Sequence, residues 1–193
     1  MSPAATMSVD DAERAILETA DQLFYERGIA LVTMADVRDA AGVSMRRMYQ
    51  LYPSKADLVA AWLKDRHVRW MDWFIAAIER HTATGGDALA ATFDALAEWA
   101  VSPSYRGCAF LNSIAETSEV NDTHRTIVVD HKRALIEHLA HLATRDHANS
   151  PAWLASAIAV LIDGAIVQSA IFGSTEPIAA AKAAASRLME ISS

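Results

Sequence analysis

Arg46, Arg47 and Gln50 carry side chains able to read base edges, and they crowd one short segment beside Met45. An arginine fork bonds guanine through two donors, and a glutamine amide does the same for adenine in the major groove. From Ser44 to Lys55 the chain has three cations and no acid, a local charge of +3. The whole 193-residue chain has 17 basic and 24 acidic residues and a formal charge of −7. Nucleic acid would therefore have to be met locally, against the overall field.

A second set is polar and lies farther along. Cys108, Asn112 and Glu116 are spaced by four, so on a helix they form one stripe. His124, His131 and His138 follow at heptad spacing, with His141 one turn further. Three chemistries fit this set. The groups can satisfy one another in a core. Asn112, Glu116 and His131 can orient a ligand in an otherwise apolar pocket. Cys108 can act as a reactive thiol, or the set can hold a metal. Wide spacing weakens the metal reading, and Arg106 is the sole cation near the cysteine in sequence. Trp62, Arg66, Trp70, Trp73 and Phe74, joined by Phe110, offer an aromatic wall for such a pocket or ordinary core.

Positioning these groups falls to helices. With 52% hydrophobic residues, 7 Gly and 5 Pro, the composition favours helix, and no alternating stretch reads as a strand. Ser8-x-x-Asp11 starts a first helix carrying Ile16, Ala20, Leu23 and Phe24, and Gly28 closes it. Thr33-x-x-Asp36 starts a second that ends at Gly42, with Val37, Ala40 and Ala41 facing inward. Ser44 caps a third through Leu51, stopped by Pro53. Ser54-x-x-Asp57 opens a long fourth to His81, before Gly85-Gly86. Further helices are expected over Asp87–Val101, Tyr105–Ser118, Asn121–Arg145, Pro151–Phe172 and Glu176–Glu190. The expectation is an all-α chain of about nine helices, with a helix-turn-helix domain over 1–53 and a helical bundle over 54–193. The lone Cys108 excludes an internal disulfide, and the start of the chain shows no signal peptide, so a cytoplasmic setting is expected.

Helix eight is apolar on nearly every side. Its length suggests a membrane span, but Asp163, Gln168 and the absence of basic flanks argue against one. Burial on two sides is the alternative, one side in its own bundle and one against a partner. Trp153, Ile158, Leu161, Ile162, Ile166 and Val167, with Ala181, Ala185 and Leu188 of helix nine, are the expected dimer residues.

Residues 14–58 resemble the DNA-binding domain of the TetR family of transcriptional regulators. The likeness rests on Ile16, Ala20, Leu23-Phe24, Gly28, Thr33, Ala41-Gly42-Val43-Ser44, Tyr49, Tyr52, Ser54-Lys55 and Leu58. It implies phosphate contacts by Thr33, Tyr49 and Lys55 while helix three reads bases. The candidate DNA contacts are thus Thr33, Ser44, Met45, Arg46, Arg47, Tyr49, Gln50, Tyr52 and Lys55. Arg46 stands where the family usually has a small residue, and Leu51 where it has His or Tyr. The resemblance further implies a homodimer on a palindromic duplex operator, acting as a repressor released by a small apolar or aromatic effector. No cofactor, metal or enzymatic activity is expected. The rival class is a metal- or thiol-dependent sensor or enzyme using Cys108, Glu116 and His131. It lacks the Glu-x-x-His pairs of di-metal bundles and any Gly-rich phosphate loop.

Overall fold

Serine and threonine hydroxyls decide where the first helices begin. Ser8 accepts from the Asp11 amide at 3.0 Å and opens α1, Val9–Arg27. Thr33 and Asp36 cap each other reciprocally and open α2, Met34–Ala41. Ser44 accepts from the Arg47 amide at 3.2 Å and opens α3, Met45–Leu51. Each hydroxyl satisfies an amide that the helix itself cannot reach. Between α2 and α3 the chain reverses at Gly42, whose φ of 67° is left-handed and suits a residue without Cβ.

This computed structural model describes residues 7–83, 85–116 and 122–192. Among them α1 to α3 are followed by α4 Lys55–Thr82, α5 Ala88–Ala100, α6 Ala109–Glu116, α7 Asp122–Arg145, α8 Pro151–Phe172 and α9 Glu176–Ser192, with no strand. The chain is all-α, as expected. Helix α6 starts at Ala109 instead of Tyr105, because Tyr105 is held in a turn by its hydroxyl, which donates to the Ile166 carbonyl at 2.9 Å. Ser118 and Asn121, the expected end of that helix and start of the next, lie outside the described residues. Helix α9 continues past Glu190 to Ser192, whose carbonyl accepts from the Asn149 amide at 2.6 Å.

The chain divides into two compact units, Met1–Arg66 with Ala109–Ile127, and His67–Cys108 with Val128–Ser193. In the first, Ile16, Ala20, Phe24, Val37, Met48, Leu58, Trp62 and Leu63 are buried. Of the three residues expected inward on α2, Val37 is fully buried, Ala41 is half-buried and Ala40 is exposed. Within α4 the division between the units falls after Arg66. Asp21 of α1 explains this, since it accepts from the Trp62 indole at 2.7 Å and from Arg66 at 2.5 Å. Arg66 also lies over the Tyr25 ring, 3.8 Å from its centroid. The first turns of α4 therefore belong with α1.

In the second unit α8 packs on α9 and α5 through Leu154, Ile158, Ile162 and Ile166. Helix α8 is the described helix long and apolar enough to cross a membrane. Its mid-helix Asp163 holds Lys132 at 2.5 Å, and its buried isoleucines pack as in a core helix.

Candidate nucleic-acid interface

Helix α3 is short and is held by two side chains. Met48 is wholly buried and Tyr52, just beyond the helix end, is 5% exposed. With those pointing inward, helical spacing turns Arg46, Tyr49 and Gln50 to solvent, with Met45 and Arg47 half-buried at the edge. Tyr52 is a correction to the expected DNA contacts. Its ring fills the core and its hydroxyl faces Glu13 at 3.5 Å. Burial and the Glu13 charge push its hydroxyl up to about 12.

Thr33 and Ser44 are exposed, but their hydroxyls already cap helices. Thr33 Oγ1 donates to Asp36 at 2.6 Å and its amide donates to the same carboxylate at 2.7 Å. The Thr33 hydroxyl and amide hold the Asp36 carboxyl below its ordinary value. Lys55 is the first residue of α4, where Ser54 accepts from the Asp57 amide at 3.1 Å. Burial pulls the Lys55 ammonium down, and Asp36 opposes the shift. An anion at this helix start would meet free amides, the positive end of the dipole and that ammonium.

The candidate effector residues divide between the two units. Trp62, Arg66, Phe110, Asn112 and Glu116 belong to the first; Trp70, Trp73, Phe74, Cys108 and His131 to the second. Within the first, Phe110 is core, and Trp62 and Arg66 are committed to Asp21. Asn112, Ser113 and Glu116 join Phe24, Tyr25, Ile29, Trp62 and Ala109 around a cavity of about 10 Å³, room for a single water. Glu116 accepts a hydrogen bond from the Ile29 amide at 2.6 Å. No sequence pattern signalled Asp21 or Ile29 as partners.

In the second unit Trp70 stacks on Phe74 with ring centroids 4.6 Å apart and meets Trp99 and His131 edge-on. Trp73 lies tilted beside Phe74, and Phe74 is wholly buried. His131 and His67 approach through their Nδ1 atoms at 3.0 Å, so one must donate and the other accept. Burial, then Lys132 and His67, push His131 down to about 3. The Trp70 indole N–H is buried with no hydrogen-bond partner among the described residues. In the first unit, His124 bonds Ser113 at 2.9 Å, both side chains being buried. Lys132 Nζ lies 3.9 Å from Cys108 Sγ while also holding Asp163. Among the described residues no three His, Cys, Asp or Glu side chains gather closely enough to hold a metal ion.

The expected dimer residues need re-sorting by face. Ile158, Ile162, Ile166, Ala181 and Ala185 are buried within their own unit, and Leu161 and Leu188 are half-buried. Trp153 and Val167 are exposed. The spacing of Trp153 continues through Val160, Val167 and Ile171, with Phe172 beside it, as one apolar face open to solvent.

Comparison with known proteins bears on the same helices. Residues 16–62 match the family model TetR_N, bacterial regulatory proteins of the tetR family. Over 52 residues the chain is 42% identical to the HTH-type transcriptional regulator TtgR of Pseudomonas putida, covering 27% of this chain and 25% of that protein. Over 79 residues it is 35% identical to the HTH-type transcriptional regulator EthR of Mycobacterium tuberculosis, covering 41% of this chain and 36% of that one. These matches span about a quarter to a third of the curated relatives. A TetR-family transcriptional regulator of known structure from Streptomyces coelicolor shares the fold, with a TM-score of 0.82 at 23% identity over 95% of this chain and 96% of that one. The structure of a putative TetR-type regulator from Streptomyces avermitilis gives a TM-score of 0.73 at 26% identity over 91% of this chain and 98% of that one.

Proposed function

From its membership of the TetR family of transcriptional regulators, to which this chain belongs, we propose that it is a homodimeric repressor that binds a palindromic duplex operator and leaves it when a small molecule binds. The observation that carries this is the outward face of α3, where Arg46, Tyr49 and Gln50 are exposed, with Arg47 at the edge, over a buried Met48. That arrangement presents two guanidinium groups and an amide to a major groove on a rigid support. Lys55 at the start of α4 adds a phosphate anchor.

The apolar face of α8 supports the dimer. Trp153 is 55% exposed, Val160 73%, Ile171 71% and Phe172 68%. A second copy presenting the same face would bury it, and a twofold axis matches an operator of two half-sites about 34–36 Å apart. Such a protein acts in the cytoplasm and needs no cofactor or catalytic group.

Release requires an effector that prefers a state with the wrong spacing of recognition helices. The aromatic cluster of Trp70, Phe74, Trp99 and His131 favours a small aromatic or apolar effector carrying a hydrogen-bond acceptor. That acceptor would satisfy the buried Trp70 N–H. A coupling of about 1–3 kcal/mol between the two ligands would change operator affinity about 5–150-fold. A second reading, thiol sensing at Cys108, has the Lys132 contact in its favour.

The decisive experiment selects duplexes from a random pool with the full chain and tests the winner by mobility shift and light scattering. A palindrome bound by a dimer is expected. Failure to enrich any duplex refutes the reading. On the selected operator, Cys108→Ser separates the two sensing modes: loss of response to an electrophile such as N-ethylmaleimide alone would favour the thiol.

A further inference from the structure

We propose that Glu116 is a positioning residue for DNA recognition, holding the α1–α2 turn in the geometry that α3 needs. The inference rests on the DNA-binding reading above. Helix α1 closes at Gly28, whose amide bonds the Phe24 carbonyl at 3.0 Å. The next amide, that of Ile29, points away from the helix and is met by Glu116 Oε2 of α6 at 2.6 Å, across 87 residues of sequence.

Two features mark this contact as more than a surface hydrogen bond. Gly28 has φ +88°, and a Cβ there would sit 3.0 Å from Glu116 Oε2, so the carboxylate is seated against bare backbone. Ile29 and Val32 are buried on either side of the exposed Leu31, so a shift at the Ile29 amide must move the chain that enters α2. Because α2 and α3 follow that turn through Thr33 and Gly42, the bond fixes the orientation from which Arg46 and Arg47 reach DNA.

The test uses the full chain and the operator it selects, with a scrambled duplex of equal length as control. Glu116→Ala should speed amide exchange at Ile29 and weaken operator binding about fivefold. Scrambled-duplex affinity should stay near wild type, and the melting temperature should fall by only a few degrees, the cost of one part-buried amide left without its acceptor. Glu116→Gln retains an acceptor oxygen and should recover most of the loss. Glu116→Asp, one methylene shorter, makes the same prediction as alanine and carries the test should the alanine variant not fold. Gly28→Ala should weaken operator binding by a smaller factor in the Glu116→Ala background than in wild type, since the methyl then has no carboxylate to strike. Unchanged operator affinity in both Glu116→Ala and Glu116→Asp overturns the inference. So does an equal loss on operator and scrambled duplex, which would mark a merely structural role. A wild-type chain that selects no duplex refutes the DNA reading itself, and the inference with it.

Discussion

Two faces of this chain are left open, and they differ in what they ask of a partner. The outer face of α3 is short and carries Arg46, Tyr49 and Gln50. Water satisfies those groups, so exposure alone reveals nothing about an occupant. The outer face of α8 runs from Trp153 through Val160 and Val167 to Ile171 and Phe172. Water does not satisfy that face, and a contiguous apolar strip of this kind is what the proposed dimer would cover. An exposed charge needs a motif to give it meaning, whereas an exposed apolar strip carries meaning by itself.

The largest expected effect separates the open face of α8 from its inner one. Ile162→Asp would place an unpaired charge in a core where Ile162 has no exposure, at a cost of several kcal/mol against a total stability of about 5–15 kcal/mol. Unfolded or aggregated protein is expected in a thermal melt and by light scattering. Val160→Asp changes a residue that is 73% exposed in the single chain. It should melt near wild type yet elute as a monomer and lose operator binding. A dimeric Val160→Asp protein with normal affinity would move the interface off this face.

That contrast also measures what the sequence discloses. The helix starts at Ser8, Thr33 and Ser44 were legible because capping is local chemistry between residues three apart. The inward and outward sides of α8 were not. A helix apolar all round has no period to read, so Ile158, Ile162 and Ile166 were grouped with Trp153 and Val167 although they face opposite ways. Tyr52 shows the converse, since a motif marked it and packing turned it into the core. The Glu116–Ile29 bond and the Asp21–Trp62–Arg66 tie were out of reach. They join distant positions by hydrogen bonds that leave no periodicity behind.

On the α3 face, Arg47→Ala should change specificity. If Arg47 bonds a guanine, its loss relaxes preference at one base pair per half-site by about 1–3 kcal/mol, read by competition among single-base operator variants. Equal weakening across all variants would reassign Arg47 to a phosphate.

Acid should act on the core of the second unit, the one that carries the α8 face. His131 is pushed down to about 3, so the folded chain holds it neutral where the unfolded chain binds a proton. Stability from this group is full above the unfolded pKa of about 6.5 and falls as pH drops from there toward 3. The loss approaches about 1.4 kcal/mol per pH unit, the limit for one proton bound only by the unfolded chain. His131→Asn should flatten the fall in melting temperature between pH 7 and pH 5, relative to wild type at the same pH values. An unchanged slope would assign the acid sensitivity to other groups, such as His124, also pushed down by burial.

The smallest effect belongs to Lys55, and it tests whether the α3 face extends onto the start of α4. A phosphate contact adds affinity without reading sequence, so Lys55→Ala should weaken operator and scrambled duplex by the same factor. Each neutralised phosphate releases about one counterion, and losing one contact should lower the slope of log K against log salt by about 1 per half-site. Burial already costs the Lys55 ammonium something, and Asp36 offsets part of that cost in the free protein. A phosphate arriving between amides and ammonium would extend the same compensation, which is why binding should favour the charged form there. Arg47→Ala changes preference among sequences, while Lys55→Ala should change only the salt slope and the overall affinity. An unaltered salt slope would leave Lys55 as a partner of Asp36 alone and confine the nucleic-acid face to α3.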